Sequence, residues 1–467
     1  MQTAEQVVQQ LPWRWNVQGR VFIIGGLGYM FDAWDVVLNG FLTPLVGDFW
    51  GLGLGERGLV ATANLIGMAI GAVSWGTVAD KVGRKKAFSI TMLIFAVFSV
   101  LAALSPSYWV FLLLRFLAGF GLGGCIPVDY AIVSEFSPAR LRGRVLAAMD
   151  VWWPIGGTLC GLVATLLVPV DPDLRWRIML TFMVLPALLL FWARRSIPES
   201  PIYLARTGRQ EEARVIVDDL VARTGTPPTP YGFSAPEVVA KMTLVSAAAQ
   251  LRDIWRFSPR ITSTAWALFI TIMLLYYGAL SWMPSILRQS GYGSYAAFAG
   301  TTLMTGVGII GVLVSAWLCE KVGRKWVIGV SGPVAALALV FFGLTLPLDT
   351  APLLFLAIFG FVIQLTIPVL YAYVSELYPT PMRASGFGWA SSVSRVASGF
   401  VPLLFGTLLW PNFGLPMTFA IIGGAVVVAV AWMSVGAPET KGRELDTLEP
   451  IRARPEVAPP PDVRSGA

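Results

Sequence analysis

Two aspartates stand close together inside the first long apolar segment of the chain. Asp32 and Asp35 occur in the sequence MFDAWDVVLN, within an apolar stretch that runs over residues 21–46. Their spacing of three residues places both carboxyl groups on one face of a helix. A carboxylate near the centre of a bilayer is disfavoured by roughly 2.5 to 3.5 kcal/mol on insertion scales, so the pair indicates a function. Carboxyl groups in this position can take up and release a proton as a cavity faces the two sides of a membrane in turn.

Four further charged side chains lie inside apolar segments. A guanidinium is a planar fork that matches a carboxylate at two points, so Arg395 predicts an anionic substrate or, alternatively, an ion pair with one of the two aspartates in the empty protein. Asp129 is predicted to act in proton coupling or in gating. For Arg115 a structural pairing is favoured. Asp150 lies at a shallow depth, and a gating or structural role is favoured for it.

Aromatic and amide side chains near mid-depth offer a surface for an aromatic ring. Trp34, Tyr276 and Gln364 are the best placed of these, and Trp152 is a further candidate. Membrane proteins also use aromatic residues for packing and for anchoring at the interface, which is the alternative for each of them. Stacking between aromatic walls, with an arginine on the carboxylate, would suit a small aromatic acid.

The segments that position these residues are membrane spans. The chain is 56% hydrophobic and only 13% charged, and its apolar residues come in blocks of about 20, the length that crosses a bilayer as a helix. The first 20 residues are polar and the first block is too long for the core of a signal peptide, so we expect a true span and no cleavable leader. Twelve spans are predicted, at 21–46, 58–79, 87–104, 109–134, 145–170, 176–193, 261–287, 296–319, 327–346, 352–375, 384–409 and 416–435.

Basic residues in the short loops predict the orientation. One alternating set of loops carries eleven lysines and arginines, and the other set carries three, Arg57, Arg175 and Arg288. The basic set is expected in the cytoplasm, which places both termini there and the protein in the cell (inner) membrane. The net charge of +7 is therefore a topology signal, and no nucleic acid is expected as a partner.

Histidine is absent from the sequence, so proton chemistry must fall to carboxylates. The three cysteines lie in or at the ends of spans and are interpreted as small buried residues. The sequence contains no recognisable metal cluster, nucleophile elbow or phosphate loop. It therefore predicts no enzyme, no metal and no cofactor, with a proton gradient as the energy source.

Charged loop residues recur at a constant offset between the two halves of the chain. The loop GTVADKVGRKK is echoed by AWLCEKVGRK, and the offset of 240 or 241 relates Asp80 to Glu320, Glu135 to Glu376 and Glu199 to Glu439. This indicates a duplicated unit of six spans, an architecture in which the substrate site lies near the midplane between repeats. Asp32, Asp35 and Arg395 have no charged counterparts at this offset, which favours a function for them over an architectural role.

The duplicated loop charges are predicted to form a gating network of ion pairs that hold the two halves together on the cytoplasmic side, and substrate binding is the less favoured alternative for them. Expected pairs are Arg84 with Asp80, Glu135 with Arg142, and Glu376 with Arg383. The full set is Asp80, Arg84, Glu135, Arg142, Glu320, Arg324, Glu376 and Arg383.

Four motifs together resemble the major facilitator superfamily, in its branch of sugar porters, organic-ion carriers and metabolite:proton symporters. They are the loop sequences GTVADKVGRKK and AWLCEKVGRK, PESPIYLARTGRQEEA after span six, and PETKGREL after span twelve. DAWD in span one, CIPVDYAIVSEF in span four and SSVSRVASGF in span eleven are most similar to bacterial carriers of nicotinate and aromatic acids and to synaptic vesicle proteins. This resemblance implies an all-α membrane protein of twelve helices in two six-helix repeats, the major facilitator fold, that works by alternating access.

Five regions follow from these patterns. They are a cytoplasmic N-terminus at 1–20, a six-helix bundle at 21–193, a cytoplasmic linker at 194–260 with short amphipathic helices, a second six-helix bundle at 261–435 and a disordered cytoplasmic tail at 436–467. The linker helices are expected at 210–223 and 235–255.

The function predicted from these observations is proton-coupled symport of a small organic anion, such as nicotinate or another carboxylic acid. Asp32, Asp35 and Asp129 are the candidates for proton coupling. Candidates for substrate binding are Arg395, Trp34, Tyr276, Gln364 and Trp152. The alternatives are an organic-cation or sugar facilitator of the same fold and, in a different class, a membrane receptor or sensor that does not transport. The expected partners are a small-molecule substrate and the lipid bilayer, and a monomer is expected.

Overall fold

The computed structural model describes residues 2–233, 244–348 and 350–442. In this part of the chain, ten helical stretches are long and apolar enough to cross a membrane. The last of them, Thr380–Gly436, contains two of the predicted spans, and the sixth span is built from two shorter helices that were not among the ten. The fold with twelve spans is therefore confirmed.

The first six spans follow the predicted order closely. The fifth and sixth are each divided into two helices, and the break in the fifth falls at Asp150 and Val151. Their helices are Gln18–Phe49, Leu54–Val82, Arg84–Ala102, Tyr108–Phe136, Ala139–Met149 with Trp152–Leu166, and Pro172–Thr181 with Val184–Ser196.

The second six spans are less often divided into shorter helices. A π-helical turn, Phe405–Leu409, joins the eleventh span to the twelfth, and Gly414 has a positive φ of 70° that kinks the chain there. The helices are Pro259–Gln289, Ser294–Lys321, Arg324–Thr345, Ala351–Glu376, Thr380–Leu404 and Trp410–Gly436.

The repeat is visible in the backbone as well as in the sequence. Gly83 and Gly323 separate the second span from the third and the eighth from the ninth, with φ values of 100° and 111°. Residues with a side chain rarely adopt this conformation, which explains glycine at both positions. Glu199 accepts a hydrogen bond from the backbone N–H of Lys85, and Glu439 accepts hydrogen bonds from the corresponding turn in the second half.

Three pairs of spans join the two halves. The first span packs against the seventh, the second against the eleventh and the fifth against the eighth. At Gly40 of the first span, an added Cβ would lie 2.3 Å from the carbonyl oxygen of Leu280, so only glycine permits the observed approach. We call the face at which the first span begins and the twelfth span ends the terminal face, and the other the opposite face.

Short elements cover the terminal face. The linker between the halves forms the helices Pro201–Arg206, Gln210–Thr224 and Leu244–Phe257, and the N-terminal segment forms the helix Ala4–Gln10. Gln2–Thr3 pairs in parallel with Tyr231–Gly232, so the start of the chain is joined to the linker. Residues 235–243 of the second predicted linker helix and 443–467 of the predicted tail lie outside the described residues.

Candidate functional site

A cavity of about 350 Å³ lies between the two halves. Its walls come mainly from the terminal-face portions of the spans, and aromatic rings predominate among them. We call it the central cavity; the lining residues used below are Tyr29, Tyr130, Asp150, Trp153, Tyr276, Tyr277, Gln364, Tyr371, Phe387 and Arg395.

Arg395 supplies the cation of this cavity. It lies on the eleventh span, and its guanidinium forms no ion pair or hydrogen bond with any of the described residues. The hydroxyl groups of Tyr277 and Tyr371 lie within its electrostatic range. A guanidinium without a partner in a cavity of low polarity attracts an anion, most strongly a carboxylate that can bind at two points.

Tyr276 and Gln364 meet in the cavity wall, as part of a hydrogen-bond chain that joins the two halves. Trp153 donates from Nε1 to the Tyr276 hydroxyl at 2.8 Å, and Gln364 donates from Nε2 to the same oxygen at 3.1 Å. The Tyr276 oxygen thus accepts twice, which leaves its own proton free for a ligand. Both residues line the cavity, while their contact with a substrate stays a prediction, and Trp153, not Trp152, is the tryptophan beside them.

Trp34 and Trp152 lie outside the lining of the central cavity, contrary to expectation. Trp34 is 5% exposed and packs against Phe31 and Phe182 within the first half. Trp152 packs against Phe22 and over Gly26. Their large apolar rings fill gaps between helices, the alternative that the sequence left open.

Asp150 has a deeper position than its place in the sequence suggested. It lies between the two helices of the fifth span and lines the central cavity, where Tyr130 donates a hydrogen bond to Oδ1 at 2.5 Å. Tyr29 packs edge to face on Tyr130, with ring centroids 5.4 Å apart. Periodicity assigns Asp150 to the start of a span, and the division of this span into two helices has no signal in the sequence except the following WWP.

Asp35 does not face Arg395. Its carboxylate binds Arg115 at two points, with Nη1 to Oδ1 at 2.8 Å and Nη2 to Oδ2 at 3.0 Å, and neither side chain has any solvent exposure. Asn64 donates to Oδ2 at 3.0 Å, and Asn39 accepts from Arg115 at 2.8 Å. The group joins the first, second and fourth spans. The structural pairing expected for Arg115 is observed, and its partner is the aspartate that the sequence offered for proton coupling.

Asp32 and Asp129 have the opposite environment. Both are fully buried, and neither carboxyl oxygen of either residue has a hydrogen-bond partner within the described part of the chain. Asp129 faces Gly28, one turn before Asp32, where an added Cβ would lie 2.8 Å from Oδ2 of Asp129. The two carboxyl groups interact electrostatically, and Arg395 lies within range of Asp32 without pairing with it.

The loop charges of the terminal face pair differently from the sequence-based expectation. Arg84 lies 3.5 Å from Glu135, and Arg324 lies 3.1 Å from Glu376. Each of these contacts joins helices of one half, so neither ties the halves together. The structure thus brings the charges into two duplicated clusters, one in each half, because each arginine begins a helix next to the helix that its glutamate ends.

The other predicted members of the gating network are less engaged. Glu320 is exposed at the end of its helix, and Arg383 donates only to Thr380, at 3.2 Å, among the hydrogen bonds observed. Nε of Arg142 is buried without a hydrogen-bond partner among the described residues, so the expected pairing of Arg142 with Glu135 is not seen. The side chain of Asp80 lies outside the described residues.

An ion pair joins the two halves at the opposite face. Asp48 at the end of the first span binds Arg288 of the second half at 2.9 Å, and it binds Arg57 of its own half at the same distance. Nearby, Trp282 donates a hydrogen bond to the carbonyl oxygen of Pro402 at 3.0 Å within the second half. The sequence marks Arg57 and Arg288 only as loop charges and gives no signal for Asp48, since residues near the ends of different spans have no fixed spacing that predicts pairing.

Comparison with known proteins places the chain among transporters. The family model described as "Sugar (and other) transporter" matches residues 55–451. The niacin transporter NiaP of Acinetobacter baylyi is 31% identical over 91% of this chain and 94% of its own length. The gentisate transporter of Corynebacterium glutamicum is 31% identical over 88% of this chain and 86% of its own length. The inward open structure of the xylose transporter XylE from E. coli superposes with a TM-score of 0.76 at 19% identity, covering 92% and 99% of the two chains.

Proposed function

Because the chain belongs to the sugar (and other) transporter family of the major facilitator superfamily, we propose that this membrane transporter carries a small aromatic carboxylic acid together with a proton. The observation that carries the proposal is Arg395, a guanidinium without an observed partner in an aromatic cavity between two halves. A carboxylate would bind it at two points while the ring packs against the tyrosine and phenylalanine walls.

The names of related proteins agree with this ligand chemistry. The two relatives described above are named for niacin and gentisate, and others at 29% and 28% identity are named for gallate and benzoate. These names describe aromatic acids or close derivatives. A cavity of about 350 Å³ has room for a single-ring acid of this kind.

For the proton, Asp32 and Asp129 are better suited than Asp35. The Asp35 carboxylate is compensated by Arg115 and Asn64. Asp32 and Asp129 have no such partners among the described residues, and burying two unpaired carboxylates that repel each other electrostatically is costly unless they bind a proton. We assign the transported proton to this pair, which shares it as a coupled site.

Arg395 provides the link between the two ligands. Its positive charge acts on Asp32 through space, and a bound carboxylate neutralises that charge. Binding of the anion therefore makes proton binding more favourable, and by linkage the proton makes anion binding more favourable. Rocking of the two halves would then carry the proton and the anion across the membrane. In this proposal the protein lies in the inner membrane of the cell, with its terminal face towards the cytoplasm.

The proposal is tested by uptake into proteoliposomes. Wild-type protein is expected to accumulate labelled nicotinate, gentisate or benzoate against its gradient when the acidic side faces the substrate. Arg395→Gln is expected to lower the affinity for the best of these acids by about tenfold or more, because a charge-assisted hydrogen-bond pair is lost. Arg395→Lys retains the charge but loses the fork, and an intermediate loss is expected.

Two controls define the result. The amide nicotinamide, which has no carboxylate, should bind wild type and Arg395→Gln equally weakly. Arg223→Gln, on an exposed helix of the linker, removes an arginine without touching the cavity and should transport like wild type. Equal affinities for the acids in wild type and Arg395→Gln would overturn the proposed role of Arg395.

A further inference from the structure

The central cavity contains a second charged side chain, on the half that faces Arg395. Asp150 comes from the break in the fifth span, and Arg395 comes from the eleventh span. They form no ion pair with each other or with another described residue. The hydroxyl of Tyr371 lies within electrostatic range of both side chains, and Asp150 and Arg395 therefore line the same part of the cavity.

The two oxygens of Asp150 have different surroundings. Oδ1 accepts the hydrogen bond of Tyr130 at 2.5 Å, which fixes the orientation of the carboxyl group. Oδ2 accepts no hydrogen bond from the described residues, and it is not among the buried atoms that lack a partner. This oxygen is thus an acceptor that faces the central cavity. Tyr130 is itself positioned by edge-to-face packing on Tyr29.

We propose that Asp150 is a specificity-determining residue whose free oxygen accepts a hydrogen bond from a donor on the ring of the substrate. This inference rests on the proposed function, since Arg395 must hold the carboxylate at the other end. The substrate class is then narrower than aromatic acids in general. The preferred substrates are aromatic monocarboxylates with a hydroxyl group or a protonated ring nitrogen, unsubstituted acids bind more weakly, and acids with a second carboxylate on the ring bind most weakly.

The chemical reason is the asymmetry between a satisfied and an unsatisfied buried acceptor. A ring hydroxyl donates a hydrogen bond to Oδ2 of Asp150 and so replaces the water that the substrate displaces from this oxygen. An unsubstituted ring displaces the same water and leaves the Asp150 carboxylate without a donor. A second carboxylate would place two like charges side by side in a poorly solvated cavity. Aromatic walls alone cannot make either distinction, since they favour all single-ring acids.

The experiment compares ligands as a ratio of affinities. Competition against the best-transported labelled acid gives apparent Kd values for benzoate, 3-hydroxybenzoate, 4-hydroxybenzoate and terephthalate in proteoliposomes at one pH. In the wild type, the better of the two hydroxybenzoates should bind about tenfold more tightly than benzoate, and terephthalate more weakly than both. In Asp150→Asn this hydroxybenzoate-to-benzoate ratio should fall towards one and terephthalate should gain affinity relative to benzoate.

Two further variants separate positioning from structure. Tyr130→Phe removes the hydrogen bond that orients Asp150 and should lower the ratio part of the way. Asp219→Asn removes a carboxylate from an exposed ion pair in the linker and should keep the wild-type ratio. A structural role for Asp150 would lower the affinities of all acids in proportion, and the ratio would stay as in the wild type.

The outcomes distinguish this inference from the proposed function. An unchanged ratio in Asp150→Asn, or a wild-type ratio near one, overturns the role of Asp150. If in that case Arg395→Gln still weakens every acid, the proposed function stands without this refinement. If Arg395→Gln weakens none of them, the carboxylate site is wrong and the assignment of Asp150 falls with it.

Discussion

Asp35 and Arg115 form a two-point ion pair without solvent exposure on either side chain, within one half of the protein. Breaking such a pair on one side leaves an uncompensated charge in the interior, at roughly 3 to 5 kcal/mol. Asp35→Asn and Arg115→Gln are each expected to lower the unfolding temperature in detergent markedly. The double variant, in which both charges are gone, should recover part of the loss.

Asp32→Asn is the matched control for this measurement. It is the same substitution, three residues away on the same helix, at a carboxyl group without an observed hydrogen-bond partner. We expect its unfolding temperature to stay at or above that of the wild type. Equal losses for Asp32→Asn and Asp35→Asn would show that the pair with Arg115 does not distinguish the two aspartates.

Removal of the proton site should separate exchange from accumulation. In Asp32→Asn and Asp129→Asn, substrate can still bind Arg395, so exchange of internal for external acid should continue within a few-fold of the wild type. Accumulation driven by a pH gradient should be lost, because no proton travels with the anion. Radiolabel counterflow and pH-driven uptake in the same proteoliposomes measure the two activities. Uphill uptake retained in both variants would place the proton elsewhere.

The ion pair between Asp48 and Arg288 is expected to hold the opposite face closed. Arg288→Gln removes this contact between the halves, whereas Arg57→Gln removes only the contact of Asp48 within its own half. Because Asp48 is half-exposed, the pair contributes about 0.5 to 1 kcal/mol, which corresponds to a shift of roughly two- to fivefold in population. High salt should produce the same shift in the wild type.

Spin labels on both halves can report this shift. Leu104 and Leu348 are exposed in loops of the opposite face, one in each half, and cysteines at both sites with the native cysteines replaced would carry the labels. Pulsed electron paramagnetic resonance should show a larger long-distance population for Arg288→Gln than for Arg57→Gln. Identical distance distributions in the two variants would contradict a latch between the halves.

The duplicated turns at Gly83 and Gly323 should be sensitive to a single methyl group. An added Cβ would lie 2.6 Å from Oε2 of Glu199 or of Glu439, and both glycines have positive φ values. Alanine at either position should therefore destabilise the protein by about 1 to 2 kcal/mol. Gly143→Ala is the control, since its Cβ meets no atom within 4 Å in a helix. Thermal unfolding that ranks Gly143→Ala with the other two would contradict this account.

Much of the architecture could be predicted from the sequence because its signals are local or periodic. Apolar blocks of the length of a bilayer mark the spans, and the offset of 240 identifies the repeat that Gly83 and Gly323 confirm in the backbone. The sequence also predicts Arg395, Tyr276 and Gln364 as substrate-binding candidates, because a polar side chain in the middle of a membrane span is costly and indicates a function. All three line the central cavity.

What the sequence could not predict depends on rotation about helix axes and on breaks in helices. Asp32 and Asp35 are only three residues apart, yet Asp35 forms an ion pair with Arg115 while Asp32 interacts electrostatically with Asp129, and both of these partners lie on the fourth span. Asp150 lies at the junction of two helices in the fifth span and lines the cavity, a position that the apolar pattern of the sequence does not mark. Trp34 and Trp152 were misplaced for the first reason, since depth in the membrane does not say which way a ring points.

Asp32 and Asp129 belong to the same half of the protein, whereas Arg395 and Asp150 belong to different halves. In the proposed cycle, the proton is therefore carried as cargo within one rigid body, and its site is never taken apart. The substrate acid is bound between the two halves, so a movement that separates the halves also separates Arg395 from Asp150 and weakens its binding. The conformational change is then sufficient to release the acid, whereas release of the proton also requires water to reach the buried Asp32 and Asp129.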